Sequence, residues 1–146
     1  MQISYCSPGH GDKDRIYAFH QSIFVRNGQY RSLPETGYFE GMIYCYLATE
    51  GSKIIGTVCI YNDENLGCVQ ISKLAVLAEY QKNGVGSKLL KKAEDWAIRN
   101  GYSCALLGSP IDLVGLYRKR GYYLISVKPE ISVDGVFYVP MAKKLR

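Results

Sequence analysis

The chain has 146 residues, about one domain's worth. Apolar residues make up 47% and charged residues 21%, the balance of a globular protein with one core. The net charge of +5, from 18 basic and 13 acidic side chains, suits an anionic ligand but is too small and too dispersed for a nucleic-acid surface. No apolar run approaches the roughly 18 residues of a membrane span. The opening MQISYCSPGHGDKDR lacks the basic-then-apolar pattern of a secretory signal, so a cytoplasmic protein without membrane partners is expected. The five cysteines, Cys6, Cys45, Cys59, Cys68 and Cys104, are odd in number and include no C-x-x-C spacing. That argues against a zinc site or a disulfide framework and for reduced, buried thiols.

In chain order, Gln2–Ser7 reads as a short strand. Across Asp12–Arg26 the residues Ile16, Phe19, His20, Ile23 and Phe24 recur at spacings of three and four, an amphipathic helix with Asp12 or Asp14 as its cap. Residues 27–41, rich in Gly, Pro and Tyr, are expected to hold a second short helix and a loop. Met42–Glu50 and Ile54–Tyr61 alternate and form a hairpin, and Cys68–Val76 adds the third strand of a meander. Strict alternation there puts Val69, Ile71 and Lys73 on one face and Gln70, Ser72, Leu74 and Val76 on the other. From Val85, the residues Val85, Leu89, Leu90, Ala93, Trp96 and Ala97 follow a 3.6-residue period. Asn100–Gly101 stops that helix. Tyr102–Ser109 reads as a buried strand and Asp112–Arg120 as a short helix ended by Gly121. Tyr122–Val127 and Val136–Leu145 read as closing strands joined by a turn at Asp134–Gly135. With no repeat, low-complexity tract or linker, residues 1–146 are expected to form a single domain. Its class is α/β, an α+β mixed sheet with helices on both faces.

The segment Gln81–Leu90, QKNGVGSKLL, places Gly84 and Gly86 where a strand hands over to a helix. Two glycines there weaken the helix by about 1 kcal/mol each relative to alanine. The first N–H groups of a helix are unpaired and carry the positive end of its dipole. Bare glycines let an anion approach them, and a phosphate or diphosphate is the natural guest, with Lys82 and Lys88 adding charge. The segment is neither a P-loop, since GVGSK lacks the four-residue spacer, nor a dinucleotide fingerprint, since Leu89 stands where the third glycine is needed. By spacing alone, a simple tight turn explains the glycines equally well.

LAVLAEYQKNGVGSKLLKKAEDWA (Leu74–Ala97) resembles the acetyl-CoA-binding motif of the GNAT superfamily of N-acetyltransferases. There a strand ending in valine is followed by [Q/R]-x-x-G-x-[G/A] opening a long helix, and Gln81, Gly84 and Gly86 match it. GLYRKRGYYLI is similar to the family's later helix and strand, L-Y-x-K-x-G-F, through Tyr117 and Gly121, with Tyr122 in place of the usual phenylalanine. The resemblance is strongest from Cys68 to Ser126. It departs at Ala78, where many members carry proline, at Pro110, where many carry asparagine, and on the central strand, which holds no carboxylate.

The resemblance implies the GNAT fold, with a central, mostly antiparallel sheet. It also implies acetyl-CoA as cosubstrate, no metal, and direct acetyl transfer to a primary amine of a small molecule or peptide. A homodimer is among the allowed assemblies. Cofactor contacts would come from Leu74, Ala75, Val76, Gln81, Lys82, Asn83, Gly84, Val85, Gly86 and Ser87, and Tyr117 would protonate the departing thiolate. Two alternatives stand beside this reading: a module that binds acyl-CoA without catalysis, and a transferase using a longer acyl donor. An alkyl amine with a pKa near 10.4 must lose a proton before it attacks. Glu79, Glu64 and Glu40 are candidate bases. Tyr30, Tyr38, Tyr44 and Tyr46 either rim the acceptor pocket or pack on the sheet. His20, near the apolar face of its helix, reads as a hydrogen-bonded structural residue, and neither His10 nor His20 has metal-ligand spacing.

Overall fold

A computed structural model describes residues 2–9, 11–26, 30, 33–34, 37–63, 65, 67–126, 128–131 and 136–146. In chain order the elements are β1 (Ser4–Cys6), α1 (Asp12–His20), β2 (Met42–Glu50), β3 (Lys53–Asn62), β4 (Cys68–Val76), α2 (Val85–Arg99), β5 (Cys104–Ser109), α3 (Val114–Lys119), β6 (Tyr123–Leu124), β7 (Glu130–Ile131) and β8 (Phe137–Lys144). The strands lie in the order β1-β2-β3-β4-β5-β8-β6, with β7 on β8. Among the described pairs, β4–β5 is parallel and the rest are antiparallel. Helices cover both faces, as expected. On one, α2 buries Val85, Leu89 and Leu90 against Ile55, Val58, Val69 and Ile71. On the other, Ile16, Phe19 and Phe24 pack against Cys45, Leu47 and Cys59.

The helix expected over Asp12–Arg26 is α-helical only to His20 and continues as a π-helical turn over Gln21–Val25. Its cap is Gly11 at φ 85° rather than an aspartate; Asp12 instead accepts the Gly9 N–H at 2.7 Å. Between Arg26 and Met42 there is no helix among the described residues. The first closing strand is shorter than expected, Tyr123–Leu124, and the Asp134–Gly135 turn lies outside the described residues.

The larger correction concerns β4. Thr57 pairs with Ala75 and Cys59 with Ser72, so β4 advances three residues while β3 advances two. The surplus is a β-bulge. Lys73 sits in it at φ 54°, the single positive-φ non-glycine among the described residues. The bulge reverses the alternation. Leu74 and Val76 join Val69 and Ile71 on the α2 face, and Lys73 turns to the α1 face beside Tyr38 and Tyr61.

The two halves of the sheet then separate. β4 pairs with β5 only at Cys68↔Cys104, Val69↔Ala105 and Gln70↔Leu106. β3 follows β4 as far as Val76, and β8 follows β5 as far as Ser109. Beyond Gln70 the β5-facing edge of β4 therefore has no strand partner among the described residues.

Candidate active site

At one end of this opening, the chain leaves β4 through Leu77, whose N–H donates to Ile55 O at 2.9 Å. It runs through an exposed 3₁₀ turn, Ala78–Asn83, and enters α2 at Gly84. The Gln81 amide folds back to donate to Val76 O at 3.0 Å. Gly84 has φ 73°, which accounts for a glycine by backbone conformation alone. Gly86 is different. A Cβ there would lie 3.6 Å from Val76 Cγ2, an ordinary contact, so packing does not require its absence. Among the described residues no side chain caps α2, which leaves its first amides without helix partners. Gln81, Lys82, Asn83 and Gly84 are exposed, Gly86 and Ser87 are half-buried, and Val85 is fully buried as the anchor. Arg120 donates to the Ser87 hydroxyl, which brings a guanidinium to this helix end, whereas Lys88 lies over the Tyr5 ring instead, 5.7 Å from its centroid. An open strand edge leading to uncapped amides and an arginine fits a ligand with amides along its length and a diphosphate at its end.

Further in, the separated strands border a cavity of about 560 Å³. Gln70 to Leu74 of β4 form one wall and Leu107 and Gly108 of β5 the other. Tyr117 of α3 also lines it, its ring edge-on to Tyr122 at 5.9 Å. Burial raises the Tyr117 phenol above its ordinary value of 10.0, with Arg120 opposing. It therefore keeps its proton at neutral pH. Of the expected cofactor residues Leu74 lines the cavity, Ala75 is buried on the α1 face, and Val76 marks the mouth of the helix loop.

The α1 face closes the cavity with a hydrogen-bonded chain. Thr57 Oγ1 donates to the Lys73 carbonyl at 2.9 Å. Because that hydroxyl proton is committed, His20 Nε2–H donates to Thr57 Oγ1 at 2.7 Å. His20 Nδ1 then accepts from the Tyr38 hydroxyl at 3.0 Å. Burial, followed by the Lys73 charge, pulls the His20 pKa down to about 3. His20 is thus a neutral structural residue, as its helix position implied.

Tyr30 and Tyr38 line the cavity, but Tyr44 and Tyr46 do not. Tyr44 stacks on Trp96 of α2 with centroids 4.9 Å apart, and Tyr46 accepts from Arg99 at 3.3 Å. Being two apart on β2 they share a face, and that face is α2's. The candidate bases fare no better. Glu79 is exposed on the 3₁₀ turn, and Glu40 borders a separate depression of about 460 Å³ beyond Tyr38. Glu64 and His10 lie outside the described residues. No carboxylate lines the cavity among the described residues. Nor do those residues hold any group of three or more His, Cys, Asp or Glu suited to a metal ion. No helix among them is long and apolar enough to cross a membrane.

Residues 17–145 match the family model described as "Acetyltransferase (GNAT) domain". Among curated proteins, the "Uncharacterized N-acetyltransferase YjcF" of Bacillus subtilis (strain 168) is 25% identical over 131 residues, 90% of this chain and 91% of that one. A GNAT-family acetyltransferase from Staphylococcus aureus Mu50 superposes with a TM-score of 0.79 at 16% identity, over 99% of this chain and 100% of that one. Another, from Elizabethkingia anophelis and solved with acetyl-CoA bound, gives 0.68 at 18% identity over 97% of each. The chain belongs to the GNAT acetyltransferase family, whose members transfer acetyl groups to amine acceptors.

Proposed function

We propose that residues 1–146 act as one acetyl-CoA-dependent N-acetyltransferase domain that acylates a primary amine of a small molecule or peptide. The observation that carries this is the separation of β4 from β5 beyond Gln70, with uncapped α2 amides at one end and Tyr117 in the cavity within. The unpartnered edge at Leu74, Ala75 and Val76 holds the amide-bearing arm of the thioester as an added strand would. The amides from Gly84 to Ser87 hold the diphosphate, with Gln81, Lys82 and Asn83 flanking it and Val85 fixing the helix end beneath. Arg120 adds its charge there.

A backbone N–H on the bulged part of β4 stabilises the oxyanion as the amine attacks. Tyr117 donates its proton to the departing thiolate. A phenol held protonated by burial can do this, because the phenolate forms only as the thiolate takes the proton. With no carboxylate lining the cavity among the described residues to act as base, the amine gives up its proton to water. Holding the two reactants together supplies much of the rate.

Acetyl-CoA should raise the melting temperature in a thermal-shift assay, and CoA release over a panel of amines should single out acceptors. Stabilisation without release from any amine would reduce the protein to an acyl-CoA-binding module. The pH profile of kcat/KM carries a second signature. It should climb with the free-amine fraction and show no falling limb from Tyr117 below pH 10, since that group's proton is held more tightly than usual.

A further inference from the structure

Lys73 is held as no other lysine of the described residues is. It occupies the bulge of β4 in the left-handed region, at φ 54°, a conformation that strains most residues other than glycine, asparagine and aspartate. Its ammonium is enclosed by two rings, 4.3 Å from the Tyr61 centroid and 4.8 Å from that of Tyr38. It donates to the Tyr61 hydroxyl at 2.6 Å. An ammonium has three N–H donors, and this is the single side-chain hydrogen bond Lys73 makes among the described residues.

Among the described residues, no carboxylate forms an ion pair with it or lines its cavity. Burial raises the Tyr38 and Tyr61 phenols far above 10.0. The Cys45 thiol, hydrogen-bonded to Cys59 and buried, is raised as well. His20 is neutral. The ion pairs among the described residues are Arg15–Asp12, Lys91–Asp95 and Lys143–Glu94; Lys73 is in none of them. Lys73 is also the only charged side chain on the cavity wall among those residues. A cation partly withdrawn from water without an anionic partner is destabilised. The burial that produces this penalty also lowers the Lys73 pKa.

We propose that Lys73 is the acceptor-recognition residue and that its missing partner is the acceptor itself, an amine that also bears a carboxylate, such as an amino acid with an apolar or aromatic body. The inference rests on the transferase reading, because it assigns this cavity to the acceptor. The ring-lined wall formed by Phe24, Tyr30, Phe137 and Tyr138 takes the apolar body, Lys73 takes the carboxylate, and the amine is left facing the β4–β5 opening and Tyr117. The His20–Thr57 chain ends on the Lys73 carbonyl and fixes the bulge that aims the ammonium.

The test is binding rather than turnover. The probes are N-acetyl-phenylalanine, N-acetyl-leucine and 6-acetamidohexanoate, each paired with its neutral primary amide. Blocking the amine removes its charge from the comparison. Calorimetry with and without CoA is run on the wild type, Lys73→Met and Lys73→Arg. At least one acid should bind the wild type about ten-fold or more tighter than its amide, the discrimination of a charge-assisted hydrogen bond. Lys73→Met should bring that ratio close to one without changing the affinity for CoA, and Lys73→Arg should keep it. Equal binding of acid and amide for every pair in the wild type, or a preference that survives Lys73→Met, overturns the proposal. Lack of any CoA binding would instead overturn the transferase reading, and the acid-to-amide ratio measured without CoA still decides the role of Lys73.

Discussion

The two faces of the sheet are built in different ways. On the α2 face the proposed cofactor loop is one continuous stretch, Val76 to Ser87. It works through backbone: a positive φ at Gly84, a glycine that packing does not require at Gly86, and amides left uncapped. On the α1 face, Tyr38, His20, Thr57 and Lys73 come from four separate segments and are joined through side-chain hydrogen bonds. A diphosphate is the same whatever the acceptor, so a short backbone pattern can hold it. An acceptor differs from enzyme to enzyme and has to be met by side chains gathered from across the fold. The two faces should therefore fail separately: changes on the first should alter handling of the cofactor without loosening the fold, and changes on the second should alter stability and acceptor choice without altering CoA affinity.

The largest expected effect is at Tyr117, where the two faces meet. Tyr117→Phe should lower kcat by about a hundred-fold or more, the usual worth of a positioned acid. CoA affinity by calorimetry should be unchanged. A collapse of affinity would make the residue part of the binding surface instead. Next comes Gly86→Leu, which fills the space above the α2 amides and should weaken CoA binding by about ten- to a hundred-fold, as expected for one charge-assisted hydrogen bond lost. Its melting temperature should barely move, since even the first added carbon makes only an ordinary contact. A large drop in melting temperature would mean that the glycine serves packing after all, and the contrast between the faces would weaken.

On the α1 face the expected readout is stability against pH. His20 is fully buried, and its pKa falls from 6.5 to about 3 on folding. Below pH 6.5 the unfolded chain takes up a proton there that the folded chain refuses. This residue therefore costs stability as pH falls from 6.5 towards 3, by about 1.4 kcal/mol per pH unit, and adds nothing above 6.5. Urea unfolding between pH 4.5 and 7 should show a shallower acid slope in His20→Gln, with CoA affinity at neutral pH untouched. An unaltered slope would show that the ring is not held neutral.

The same contrast explains what the sequence made legible. The bounds of β2 and β4 and the start of α2 at Val85 coincide with those read from alternation and from the 3.6-residue period, because burial imposes those periods directly. The bulge was not legible. CVQISKLAV contains no glycine to mark a left-handed residue, and a bulge leaves the residue types alternating while it moves them to the opposite face. Lys73 was therefore read onto the wrong face, and its surroundings, assembled from Tyr38 and Tyr61, had no local signal. Tyr44 and Tyr46 failed for a related reason: period two says that they share a side, not which side. Arg120 approaches Ser87 across 33 positions of chain, a contact that no spacing rule anticipates.

The smallest expected effect tests whether the α2 face has side-chain wiring of its own. Tyr122 donates to Glu94 Oε2 at 2.7 Å, and Lys143 donates to Glu94 Oε1 at 3.0 Å, tying the far half of α2 to β8 and to the residue just before β6. Tyr122→Phe installs the phenylalanine that the family motif usually carries and leaves the ring contact with Tyr117 in place. Glu94 keeps its lysine, so the variant does not leave a buried charge alone, a loss worth about 3–5 kcal/mol. It removes one hydrogen bond to a charged acceptor, worth about 1.5 kcal/mol, and chemical denaturation should register about that much. Kinetics should not change, because the tie lies behind Tyr117 rather than in the cavity. A fall in kcat with unaltered CoA affinity would mean that the Tyr122 hydroxyl helps hold the Tyr117 ring in register, so that catalysis on this face too would depend on side chains drawn from distant parts of the chain.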